Sequence, residues 1–116
     1  MELLVCVINE EGKLEDILAG FLELGITGAT IINSQGMARH LNEAPVVMGL
    51  QELISQARPQ NKTVFSVIKS AEKLQAAVEM IRHVCGDMDK PGTGILFTVQ
   101  LDRVVGLSRT LGSEAG

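Results

Sequence analysis

The chain contains the same short pattern twice, and this repeat limits its folds more than any other feature. Val7-Ile8-Asn9-Glu10-Glu11-Gly12-Lys13-Leu14 returns 60 positions later as Val67-Ile68-Lys69-Ser70-Ala71-Glu72-Lys73-Leu74, with Val, Ile, Lys and Leu identical in both copies. Each copy joins the end of an apolar run to the start of a helical stripe. In the first, Leu14, Ile17, Leu18, Phe21 and Leu22 recur at the i, i+3, i+4, i+7, i+8 spacing of an amphipathic helix. In the second, Leu74, Ala77, Val78, Ile81 and Val84 continue in the same way, with Ser70 as N-cap. Gly25 stands where a left-handed helix terminator belongs. A further β-prone run follows each helix, Thr30 to Asn33 and Ile95 to Val99. Two βαβ units in succession predict an α+β, ferredoxin-like βαββαβ domain over residues 1–107, an antiparallel sheet carrying two helices.

Right-handed crossovers put both helices on one face of that sheet, so the other face of a monomer should be polar. The segment Glu2 to Ile8 does not comply, because Leu3, Leu4, Val5, Cys6, Val7 and Ile8 show no alternation. It is either a strand apolar on both faces or a short buried helix. In the last strand Ile95, Phe97 and Val99 share a face and Leu96 lies on the other. Apolar surface left in water costs about 25 cal/mol per Å², so several such side chains predict a face buried between copies, an obligate homo-oligomer.

Bulk properties narrow the function. The 116 residues carry a net charge of −4, and Phe21, Phe65 and Phe97 are the only aromatic residues. Neither the charge nor the scarcity of stacking surface suits a nucleic-acid partner. The N-terminus lacks a basic segment followed by a cleavable apolar core, and the chain reads as cytoplasmic. Cys6, in an apolar run, and Cys85, at a helix end, read as buried reduced thiols rather than a metal pair. No catalytic set stands out: His40 lies on a loop and His83 on a polar helix side. Glu10, Glu11, Asp87 and Asp89 read as solvated loop acids.

Two connections draw attention. Residues 34–61 are too many for a hairpin loop and hold a short helix-like stripe of Val46, Leu50, Leu53, Ile54 and Ala57. That stripe either docks on a partner or packs on its own copy. Pro91-Gly92-Thr93-Gly94 leaves backbone N–H groups without side-chain cover, which suits either an anion or a tight turn. The last residues, 108–116, read as a tail.

Three of these stretches resemble the PII nitrogen-regulatory signalling proteins. Gly25-Ile26-Thr27-Gly28-Ala29-Thr30 resembles the family's turn before the second strand. Pro91-Gly92-Thr93-Gly94-Ile95-Leu96-Phe97 is similar to its glycine loop, and Ser34-Gln35-Gly36-Met37-Ala38-Arg39-His40 to the entry of its long central loop. The resemblance implies a homotrimer with its sheets inside. It also implies a small anionic effector, such as an adenine nucleotide, in clefts between copies, and a loop that docks on a membrane transporter or metabolic enzyme. Carried over by position, Thr30, Gly36, Met37, Gly92, Thr93 and Gly94 line the ligand cleft, while Lys62, Lys90 and Arg103 are replacement cations. Arg39, His40, Leu50, Leu53 and Ile54 belong to the docking loop.

The chain also departs from that family. Ile95, Gly106 and Ser108 stand at the family's phosphate-binding cations, His40 and Gln60 at positions of its metal and 2-oxoglutarate site, and there is no Tyr to modify. Two readings compete with a ligand-binding regulator. One is a ligand-independent trimeric adaptor; the other is a metal-binding trimer of the CutA type, for which His40 with Glu43 is the best and a poor ligand pair.

Overall fold

The structure, a computed structural model, describes residues 1–9, 11–36, 61–90 and 93–107. Its elements run β1 (Glu2–Ile8), α1 (Glu11–Glu23), β2 (Thr30–Ser34), β3 (Asn61–Ile68), α2 (Ala71–Cys85) and β4 (Ile95–Gln100). The four strands form one antiparallel sheet in the order β2-β3-β1-β4. This is the α+β, ferredoxin-like arrangement that two βαβ units require. The connection between β2 and β3 comprises residues 35–60, one fewer at each end than expected, because Ser34 and Asn61 pair as the last rung of the sheet.

β1 is a strand, not a helix. Leu4, Cys6 and Ile8 are fully buried while Leu3, Val5 and Val7 are only half-buried, so its two apolar faces meet different surroundings. The helix-bearing face supplies Leu4, Cys6, Ile8, Val64 and Ile68 to the core, and the helices answer with Ile17, Phe21, Ala77, Ile81 and Cys85. α1 ends in a Schellman motif at Gly25 (φ 78°): Gly25 N–H donates to the Leu22 carbonyl at 3.0 Å and Ile26 N–H to Phe21 at 2.8 Å. α2 begins at Ser70, whose hydroxyl accepts from Lys73 N–H at 3.2 Å.

The repeat in the sequence is a local twofold in space. Val5 pairs directly with Phe65, its own repeat equivalent 60 positions on. Above that pair the helices cross where Gly20 faces Met80, again 60 apart; a side chain on Gly20 would begin 2.6 Å from the Met80 sulfur. Lys13 Nζ reaches the Cys85 carbonyl at the end of α2 (3.5 Å). Its equivalent Lys73 places its Nζ 3.3 Å from where a Gly25 side chain would start, at the end of α1. Each helix thus sends a cation to the negative end of the other.

The symmetry is broken in the second unit. Thr30 pairs with Phe65 and Phe97 pairs with Val5, so Thr30 and Phe97 are equivalents separated by 67 positions rather than 60. The seven additional residues are spread over the second unit: α2 is two residues longer than α1, the connection to β4 three longer than that to β2, and β4 starts two residues earlier in register.

Candidate functional site

Four strand ends, served by three connections, meet at one rim of the sheet. Ser34 stands opposite Asn61, Lys62 opposite both Asn33 and Ile8, and Val7 opposite Ile95. Gly36 leaves this rim from β2, and Thr93 and Gly94 enter it ahead of β4. Adjacent strands lie about 4.8 Å apart, so the rim from β2 to β4 spans roughly 14 Å. The turn before β4 is braced from within: Lys90 N–H donates to the Asp87 carbonyl at 3.2 Å and Thr93 Oγ1 to the Lys90 carbonyl at 2.9 Å. Gly94 has φ 124°, and a Cβ there would lie 2.5 Å from the Val7 carbonyl oxygen. Only glycine permits that approach.

Of the expected ligand residues, Gly36, Lys62, Lys90, Thr93 and Gly94 belong to this rim or the turn beside it. Thr30 and Arg103 do not. Thr30 sits across from Phe65 at the far end of β2, and Arg103 follows Gln100, which pairs with Glu2 on the opposite rim. Met37, Gly92 and the docking-loop residues Arg39, His40, Leu50, Leu53 and Ile54 lie outside the described residues, as do Gln60 and Ser108.

Lys62 is engaged elsewhere than the sequence suggests. Its ammonium donates to Asn33 Oδ1 across the β2–β3 pair. By strand alternation it shares the helix-bearing side with Val64, not the side of Ser34, Asn61 and Thr63. On that other side Ser34 Oγ and Thr63 Oγ1 are hydrogen-bonded at 2.9 Å. Asn61 is buried there, and its Oδ1 has no hydrogen-bond partner among the described residues. Periodicity and composition gave no sign of this residue, because an Asn beside a long loop reads as a turn former.

A groove of about 570 Å³ opens next to the rim, between α2, the turn after it and β4. Its lining includes Val78, Arg82, Asp87, Asp89, Gly94 and Leu96, one cation among two acids over an apolar floor. Arg82 escapes a sequence reading because it also serves as the basic residue of the last turn of α2. Among the described residues, no group of three or more His, Cys, Asp or Glu could hold a metal ion. Cys6 and Cys85 are free thiols. Burial, reinforced by Cys85, pushes the Cys6 thiol up to about 12, which leaves it protonated and inert at neutral pH.

The turn that precedes β2 is tied to the sheet through Ser66 Oγ, which donates to the Gly28 carbonyl. It is one of three glycine-bearing connections that resemble the PII proteins in sequence. No curated protein matches the chain. A family model does: that of the nitrogen regulatory protein P-II covers residues 1–110, nearly the whole length. With the repeat, the sheet order and the glycine connections in agreement with that match, the chain belongs to the nitrogen regulatory protein P-II family of signalling proteins.

Proposed function

We propose that this P-II family protein works as a homotrimer. It takes a small anionic ligand, an adenine nucleotide first among them, into the clefts between copies. It docks on a transporter or a metabolic enzyme through the connection between β2 and β3. The observation that carries this reading is the helix-free face of the sheet. Phe65, Val5 and Phe97 form one row across it, Ile32, Thr63, Val7 and Ile95 a second, and Val67, Leu3 and Val99 a third. Ile32, Ile95, Phe97 and Val99 are 47, 56, 44 and 45% exposed in the single chain. Such a surface is costly in water and inexpensive between copies.

A closed ring uses the same patch in every copy and leaves no face unfilled. It also accounts for the two expected ligand residues that lie far from the rim, since a neighbouring copy supplies Thr30 and Arg103. The three residues by which the connection between α2 and β4 exceeds its counterpart are unnecessary for closing the fold, and that connection holds Lys90, Gly92 and Thr93. Function explains them better than architecture does.

Two measurements test the reading. Sedimentation at micromolar protein should give the mass of three chains; a single chain would defeat it. Calorimetry with ATP, ADP, AMP, cyclic dinucleotides and bicarbonate should give heat with at least one. A micromolar ligand at millimolar concentration should stabilise the fold by about 4 kcal/mol. A trimer with no heat from any of them is the ligand-independent adaptor instead.

A further inference from the structure

We propose that the groove between α2 and β4 is a second binding site, for a zwitterionic α-amino acid with an apolar side chain. Its volume of about 570 Å³ lies within the roughly 300–1,000 Å³ of small-molecule sites. Its lining residues come from α2, the turn after it and β4 of one chain, so the inference depends on neither the trimer nor a nucleotide.

The charges single the groove out. Arg82 stands on the last turn of α2 and Asp87 and Asp89 on the turn that follows, and all three are exposed to the groove they line. No ion pair joins Arg82 to either acid. The turn holds the acids in place: Asp87 Oδ1 accepts from the Asp89 N–H at 3.0 Å, and the Asp87 carbonyl accepts from the Lys90 N–H at 3.2 Å. Opposite charges that line one groove without pairing leave a cation site and an anion site open to a single molecule. The floor is apolar, made by Val78, Met88 and Leu96, each half-buried against the core.

A ligand of one sign meets a like charge here: an isolated carboxylate faces two aspartates, and an isolated amine faces the arginine. An α-amino acid satisfies both. Its carboxylate accepts from the Arg82 guanidinium, its ammonium donates to Asp89, and its side chain covers the apolar floor. Residues 95–98 line the groove in succession, which the edge of a strand does and a single face of it does not. Among the described residues β4 pairs with β1 alone, so its outer backbone groups can meet the ligand's remaining donors and acceptors.

Four compounds serve as probes in calorimetry on the full chain. They are L-leucine, L-methionine, 4-methyl-2-oxopentanoate, which lacks the ammonium of leucine, and isoamylamine, which lacks its carboxylate. At least one of the two amino acids should bind about tenfold more tightly than either analogue. Arg82→Gln should weaken the amino acid about tenfold and leave isoamylamine unchanged. Asp89→Asn should weaken the amino acid to a similar degree without weakening the oxo acid. Both positions are exposed, so both variants should melt within about 3 °C of the parent. No heat from either amino acid at millimolar concentration would overturn the proposal, as would amino-acid affinity unchanged in both variants. Equal weakening of all bound probes in a variant would mark a change of structure and overturn it as well. Heat from leucyl-leucine but from neither amino acid would give the groove to a peptide instead.

Discussion

Two glycines with opposite surroundings show how much one residue can decide. At Gly94 the backbone is left-handed, and a Cβ would meet the Val7 carbonyl at 2.5 Å. Gly94→Ala must shift either β1 or the rim, and we expect a loss of about 2–4 kcal/mol in urea unfolding. Gly12 lies in α1, and a Cβ added to it would meet nothing within 4 Å. Gly12→Ala should instead gain about 0.5–1 kcal/mol, from helix propensity alone. Cys6 offers a third test. Its thiol titrates near 9 when exposed and near 12 in the fold, so the unfolded chain loses its proton first as pH rises. The stability that Cys6 contributes is therefore complete below about pH 9 and disappears between about 9 and 12. Unfolding curves across that range should fall more steeply for the parent than for Cys6→Ala, and alkylation of Cys6 at pH 8 should await unfolding.

The elements were legible where burial imposes a period. Both helical stripes, the Ser70 cap and the Gly25 terminator appear in the sequence because a repeating face meets the core and the helix ends need specific chemistry. Ser70→Ala should cost about 1 kcal/mol, read as a lower thermal midpoint. α1 shows where such reading stops. It begins at Glu11, which the sequence reading places among the loop acids. Its first turn has no apolar residue to mark it, and acids are favoured there by the helix dipole. The ambiguity of β1 came from having two apolar faces, and only its neighbours resolved it. The lysines that reach across to the opposite helix, and the buried amide of Asn61, depend on pairs of residues far apart in the chain. No local pattern carries that information. The rim residues were partly legible: the glycines were visible through their turns, whereas the side of the sheet on which Lys62 lies and its Asn33 partner become clear only in the sheet.

For the whole molecule, the helix-free face and the longer connection before β4 can be separated by experiment. Phe97→Asp puts a charge in the middle of the apolar rows and should convert the proposed trimer to single chains in sedimentation, with the helical circular dichroism retained. Deleting 91–93 brings the connection between α2 and β4 to the six residues of its counterpart between α1 and β2. It should leave the fold within a few degrees of its melting point while abolishing ligand heat, since shortening a loop changes closure entropy little. The sheet order β2-β3-β1-β4 has one more effect. Neither βαβ unit owns adjacent strands, for β3 separates β1 from β2 and β1 separates β3 from β4. The halves are interlaced like the fingers of two hands, and each lysine brace fastens one half to the other. A chain cut between residues 36 and 61 should therefore yield two fragments that are unfolded when separate and that rebuild the native sheet when mixed.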